Sequence, residues 1–333
     1  MKNLLLSWQY LLQRGMNALL TYVIALIFVF VIPRLIPGSP EELMASSYRL
    51  PGEVAAALRT RFGLDKPLLE QFALYMKNVV FTFPPYFGIS YSYYPAPVWN
   101  VVMLYLPWTL FLLTLSTVLT ATLGIFLGML SAWKRGTKLE AVISTISIFL
   151  LSTPYFWIAM ILIMIFGVYI PIFPVAGAYS SHVASKPFFS LEFIVDVLRH
   201  AVLPTLSLVA GNFASYTIIM RDNMVSTMGE DYITLAEAKG VKPRTIIIKH
   251  AARNALLPVL TLFTLHLGTM VGGAIVTESV FSYPGVGLLL FNAILNQDYP
   301  LIQGFFYIIT VAVIIANYIT DILYVIIDPR VRY

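Results

Sequence analysis

Residues 141–170 contain no Asp, Glu, Lys or Arg. A stretch that long and uncharged can be hidden only in a large apolar core or in a bilayer, whose hydrocarbon layer of about 30 Å takes about 20 helical residues to cross. Residues 15–33, 104–132, 201–220 and 254–276 are also free of charge, and 301–326 carries only Asp321, near its end. Composition separates the two settings. Charged residues make up 11% of the chain and hydrophobic residues 59%, against roughly 25% charged in a soluble domain. That leaves too little charge to coat a soluble globule, and too much apolar and aromatic content for a disordered chain. The expectation is an all-α integral membrane protein with six transmembrane helices. The first is read as an uncleaved anchor, since its apolar stretch is longer than the 7–15 residues usual for a secretory signal.

Several chemistries are excluded early. There is no cysteine, hence no disulfide, thiolate metal site or cysteine nucleophile. The four histidines never stand four apart, and no His-Glu-x-x-His occurs, so no metal site is expected. The net charge of +5 is no sign of nucleic acid, because basic residues collect in the short loops that set membrane orientation. Of the 21 Lys and Arg residues, 13 fall on one side: the N-terminal segment, the turn at 134–138, the loop between spans four and five, and the tail. Both termini are therefore expected in the cytoplasm.

This divides the chain into a first helix at 1–33, an outer loop at 34–100 and a five-helix core at 101–333. In the outer loop, Pro51 to Gly63 reads as a short helix and Asp65 with Pro67 opens another. The second helix places Leu68, Leu69, Phe72, Tyr75, Met76, Val79 and Val80 on one apolar face. Between Phe81 and Trp99 stand eight aromatics and no charge. Two readings apply to Tyr86, Tyr91, Tyr93, Tyr94 and Trp99: a belt at the membrane interface, or a surface that meets solute or an external partner. Within the spans, Gly124-x-x-x-Gly128 and Gly268-x-x-x-Gly272 allow close helix approach. Pro154, Pro204 and Pro258 are expected to kink their helices.

The loop at 221–258 is the most informative. Glu230 and Asp231 suit a helix N-terminus, Gly240 suits a left-handed cap, and Pro243 can start a second helix that runs into span five. A short helix, a glycine turn and a second helix make either a rigid protrusion for a partner's groove or an ordinary interfacial helix. Ala236-Glu237-Ala238, then Gly240, then Leu257-Pro258, resemble the EAA loop of permease subunits in binding-protein-dependent ABC importers. Motifs along almost the whole chain are similar to the dipeptide/oligopeptide permease group. They are Pro37-Gly38-Ser39-Pro40, Phe62-Gly63-Leu64-Asp65-Lys66-Pro67, Ser152-Thr153-Pro154-Tyr155-Phe156-Trp157, Arg253 to Pro258, Glu278 to Gly287, Gln297-Asp298-Tyr299-Pro300 and Asp328 to Tyr333. One stretch departs: where the group commonly has Gly-Asp-Leu-Gly-Ser, this chain has the aromatic run 83–94.

The resemblance implies that Asp231, Tyr232, Ala236, Glu237, Ala238, Gly240 and Val241 dock an ATPase. It also implies a prokaryotic cell membrane, a second homologous permease, two ATP-binding cassette subunits and an extracytoplasmic solute-binding protein. The chain has no Gly-x-x-x-x-Gly-Lys-Ser/Thr phosphate loop, so ATP and Mg would be held by the partners. Asn212, Tyr216, Thr269 and Glu278 are candidates for the pathway, and each has an equal reading as a packing residue. Peptides and oligosaccharides both remain as solutes. The alternative is an ion-coupled secondary transporter, but no span centre carries a carboxylate of the kind such coupling uses.

Overall fold

The computed structural model describes residues 8–35, 60, 64–269 and 275–327. Every named element among them is helical; the only pairing of extended backbone is a single bridge between Ile89 and Pro97. In chain order these are α1 (Trp8–Arg34), α2 (Leu68–Val80), α3 (Val98–Trp133), α4 (Lys138–Leu151) and α5 (Tyr155–Ile163), the last continued by a π turn at Met164–Tyr169. Then come a 3₁₀ turn (Ser181–Val183), α6 (Leu191–Met228), α7 (Asp231–Ala238), the single turn α8 (Pro243–Thr245), a second π turn (Ile246–Ala251) and α9 (Ala252–Thr269). The last three are α10 (Ile275–Val280), α11 (Val286–Leu295) and α12 (Tyr299–Ile327).

Helix is the form that a chain in hydrocarbon can take without leaving backbone N–H and C=O groups bare. Among the described residues, three helices, α1, α3 and α6, are long and apolar enough to cross a bilayer, and α4 with α5 makes a fourth if that bent pair is one span. Large apolar side chains on α1, including Met16, Leu19, Leu20 and Phe28, are exposed, as suits a helix that faces lipid. The expected third span is broken at Pro154, where a kink was expected. Instead of one helix over 141–170, α4 and α5 with its π turn meet at a bend of 96°. Pro154 has no N–H to give, and the hydroxyls of Ser152 and Thr153 donate to the carbonyls of Ile148 and Phe149 at 2.9 and 2.8 Å. Pro204 and Pro258, by contrast, lie inside continuous helices. The apolar helix α11, between the expected fifth and sixth spans, was not foreseen. The Pro37–Pro40 motif, the 51–63 helix, Gly272 and the last six residues lie outside the described residues.

The chain forms two compact units. The first comprises 1–109, 271–275 and 284–315. Its core joins Leu26, Val29 and Phe30 of α1, Tyr75 and Val79 of α2, and Val98, Val101 and Val102 of α3, with α11 and α12 supplying Leu289, Leu290, Leu301 and Phe305. The apolar face of α2 is narrower than its spacing suggests. Tyr75 and Val79 are buried, whereas Leu68, Leu69 and Val80 are exposed. A buried carboxylate, Asp298, fixes the start of α12. It accepts from the Leu301 N–H at 3.1 Å, the Ser92 N–H at 2.9 Å and the Ser90 hydroxyl at 2.5 Å. One residue thus caps a helix and anchors the aromatic loop.

The second unit comprises 110–270, 276–283 and 316–333. Its central element is α6, against which α3 packs through its two glycines. A Cβ on Gly128 would stand 2.6 Å from both the Met220 Cβ and the Thr217 carbonyl oxygen, and one on Gly124 would strike Tyr216 and, at 2.7 Å, the Phe213 oxygen. The small-residue spacing read from the sequence therefore brings two backbones together. Gly128→Ala should destabilise the protein by about 1–3 kcal/mol, read as a lower unfolding temperature in detergent. Gly15→Ala, in open space, should leave that temperature unchanged or slightly higher.

Candidate functional site

The hairpin that follows α6 is built as its sequence suggests. Glu230 enters α7 with extended backbone and Asp231 lies in the first turn, where a carboxylate complements the helix dipole. At the other end Gly240 takes a φ of +72°. Its N–H donates to the Glu237 carbonyl at 2.9 Å, and the Val241 N–H donates to the Ala236 carbonyl at 3.2 Å. These are the two bonds of a Schellman cap, and an L side chain at that glycine position would be strained. Pro243 then opens α8, and the chain passes through the π turn into α9.

Side chains lock this hairpin in place. Ile233 is only 1% exposed and packs in a core with Met220 and Met224 of α6 and with Ile246, Ile247, Ala251 and Ala252. Asn254 Nδ2 donates to the Tyr232 hydroxyl at 2.7 Å, which joins α7 to α9. Sequence reasoning missed both anchors. The Ile233 anchor is a single apolar side chain on a short helix, and the Asn254 bond spans 22 residues. The outward side of α7 exposes Asp231, Thr234, Glu237, Ala238 and Leu235, the last at 55%. The chain thus presents a rigid, partly apolar, acid-bearing knob, a shape that fits a groove better than a flat surface.

A second fixture lies in the turn before 141–170. Thr137 caps α4, and the Glu140 carboxylate accepts from the Gly136 N–H at 2.5 Å and from Arg221 Nε at 3.0 Å, with Arg221 Nη2 also donating to it. Arg221 foremost, then the Gly136 N–H, holds the Glu140 carboxyl below its usual range. The pair joins the α3–α4 turn to the last part of α6, about two helical turns before the hairpin starts.

The pathway candidates fall in different settings. Asn212 is half-buried and donates to the Leu208 carbonyl of its own helix at 2.8 Å. Tyr216 is fully buried against Gly124, and its hydroxyl lies 2.9 Å from His266 Nδ1. That contact favours the packing reading for Tyr216, and His266 was not among the candidates. Glu278 is fully buried in α10, and its carbonyl accepts from the Tyr283 N–H at 2.8 Å. The Thr269 side chain lies outside the described residues. The aromatic surface divides as well. Tyr86 and Tyr94 are exposed, Tyr93 and Trp99 are half-buried, and Tyr91 is buried. Tyr91 therefore belongs to the interior of the first unit. The most exposed ring, Phe83 at 97%, was not among the candidates.

Helices long and apolar enough to cross a bilayer, with a helix-anchored knob beside them, describe a multi-pass membrane protein. Residues 124–333 match the family described as the binding-protein-dependent transport system inner membrane component, and residues 7–113 match the N-terminal component of the same transport systems. The chain belongs to this family of ABC importer permeases, and within it to the peptide group. It is 35% identical over 318 residues to the di/tripeptide transport system permease protein DppB of Pseudomonas aeruginosa, covering 92% of this chain and 94% of the relative. It is 35% identical over 329 residues to the oligopeptide transport system permease protein AppB of Bacillus subtilis (97% and 99%). It is 33% identical over 339 residues to the dipeptide transport system permease protein DppB of Escherichia coli K12 (98% and 99%).

The cap geometry yields a direct test. Gly240→Val should loosen the hairpin, seen as faster proteolysis at 239–242, because a β-branched residue resists positive φ. Gly240→Asn should behave nearly as wild type, since Asn tolerates that region. Equal cleavage of all three forms would show that the cap does not hold the hairpin.

Proposed function

We propose that this chain forms half of the translocation pathway of an ATP-driven importer of short peptides, and that the 229–258 hairpin receives the stroke of an ATPase subunit. The observation that carries this is the hairpin itself: a capped helix anchored by Ile233 and Tyr232 to the base of α6 and the first turns of α9. A groove that grips Asp231, Leu235 and Glu237 from outside would move helices that run into the membrane. Family membership in ABC importers displaces the ion-coupled alternative. The partners in this reading are a second, related permease, two ATPase subunits that hold ATP and Mg, and an external solute-binding protein. The chain itself carries out no reaction. Peptide is preferred to oligosaccharide because the relatives above are named for peptide transport, and because Tyr91 faces inward rather than out.

Six spans with both termini in the cytoplasm complete the proposal, supported by the Lys and Arg distribution. An impermeant thiol reagent on intact cells should label Thr82→Cys and spare Arg135→Cys and Lys242→Cys. The reverse pattern would invert the topology. For coupling, Glu237→Lys should leave the protein in the membrane at normal amounts while reducing co-purification with the ATPase subunits at least several-fold. Unchanged association and uptake would rule out the hairpin as the docking element. For the solute, the reconstituted complex should show ATPase stimulation by dialanine or trialanine. Stimulation by oligosaccharides and never by peptides would overturn the assignment.

A further inference from the structure

The end of α1 fixes the height at which α2 sits. The apolar window of α1 is Gly15–Ile32, about 27 Å of helix, which matches a hydrocarbon layer of roughly 30 Å. Arg34, just beyond that window, donates from Nε and Nη2 to Gln71 Oε1 at 3.3 and 3.0 Å. Its Nη1 bonds back to the Phe30 carbonyl at 2.8 Å, and its guanidinium lies 3.6 Å from the centre of the Phe30 ring. One turn inside the window, the Phe30 ring centre lies 5.1 Å from that of Phe72 and 5.5 Å from that of Tyr75. The last turn of the apolar window and the first cation after it therefore both hold α2. That places α2 where hydrocarbon gives way to headgroups. At the same height α1 exposes Phe28, Val31 and Ile32, the lipid-facing side of a spanning helix.

At this height α2 has three sides rather than two. Tyr75 and Val79 are buried in the core of the first unit. Leu69, Ala73, Met76 and Val80 recur at i, i+4, i+7 and i+11, which makes a second stripe. Leu69, Ala73 and Val80 of that stripe are exposed, and Met76 is half-buried where it meets the core. Glu70 and Lys77, with Leu74 beside them, form the third side and are exposed. The turn after the helix adds Phe81 at 83% exposure and Phe83 at 97%. An exposed apolar band of this kind marks an interaction surface, and its height, level with the lipid-facing side chains of α1, identifies the partner as lipid. Protein, acyl chain and water on successive sides is the pattern of an amphipathic helix lying in the interface. Lys66 pairs with Glu70 at 2.8 Å, so the charges are mixed and the surface calls for apolar depth rather than an anionic headgroup.

We infer that α2 and the turn after it form an interfacial anchor. Leu69, Val80, Phe81 and Phe83 enter the boundary between headgroups and acyl chains, while Glu70 and Lys77 stay in water. Through Gln71 and Arg34 the anchor sets the depth of the end of α1. The inference needs α1 to cross the bilayer and is independent of the solute and of the ATPase-docking hairpin.

The chain has no cysteine, so single nitroxide labels can be placed in the assembled transporter, with cysteine-free partner subunits, in phosphatidylcholine vesicles. Collisions with oxygen, which concentrates in the bilayer, and with a water-soluble nickel chelate read the depth of each label. Labels at Leu69→Cys, Val80→Cys and Phe83→Cys should give an oxygen-to-nickel ratio at least about threefold above those at Glu70→Cys and Lys77→Cys. All should lie below Leu20→Cys, inside the α1 window. Phe81→Ser with Phe83→Ser should cut the ratio at position 80 by about half or more, and Phe83→Trp should preserve it. If the double variant does not fold, the depth profile and Phe83→Trp carry the test. Equal ratios at all five positions, or no change in a folded double variant, would overturn the inference. Shielding of 69, 80 and 83 from both reagents would reveal a protein cover, such as the second permease or the external binding protein, and would overturn it too. An aqueous pattern at position 20 would instead refute the crossing of α1, on which the anchor rests.

Discussion

Helices in lipid gain nothing from hiding apolar surface from one another, because the acyl chains are as apolar as leucine. What holds the second unit together is therefore contact quality, and one close backbone approach lies where α3 meets α6. Gly124 and Gly128 bring the backbone of α3 so near residues 213–221 that a methyl group at either position would collide. That approach buries Tyr216 and Met220, and Met220 and Met224 in turn form the bed for Ile233 and the hairpin. The placement of the knob thus depends on the absence of two side chains on a different helix.

Polar groups act at helix ends, where they are affordable. Asp298 caps α12 and gathers Ser90 and Ser92. Glu140 and Arg221 fasten the α3–α4 turn. Asp196 receives the N–H and hydroxyl of Ser180 at 2.6 and 2.9 Å, and the His200 ring lies 2.8 Å from its carbonyl oxygen. Each is a carboxylate satisfied several times over, which is the condition for tolerating it in a poorly hydrated place. In each case, a loop is fixed to a helix that could otherwise be entered at several registers.

Much of this was legible in the sequence, for identifiable reasons. Uncharged length marks α1, α3 and α6, and the Gly240 and Pro243 pair marks the hairpin, because each depends on local covalent geometry. The EAA-like order of motifs led to the family before any contact was known. The bend at Pro154 was read too mildly. Proline alone predicts a kink; here the Thr153 N–H also shifts to the Leu150 carbonyl, and the Thr153 hydroxyl takes the Phe149 carbonyl in its place. The aromatic loop was least legible. Whether a tyrosine such as Tyr91 points inward is decided by Asp298, some two hundred residues away, which holds the neighbouring serines. Arg34 served only as the boundary of a span, since nothing nearby in the sequence shows that Gln71 meets it.

The π turn at Ile246–Ala251 has a consequence for how α9 can turn. There the Ala252 N–H reaches back to the Ile247 carbonyl, five residues rather than four, so the turn stores one residue more than an α-helix of the same height. Releasing that residue would advance the register of everything beyond it by one position, a rotation of about 100° at 3.6 residues per turn. Asn254, Pro258 and His266 would all swing around the axis together while Ile246 stayed seated. Such a step would break the Asn254–Tyr232 and His266–Tyr216 contacts, which hold α9 in its present register. The π turn is thus the point before α9 where a shift of one residue would change which face that helix turns toward α6.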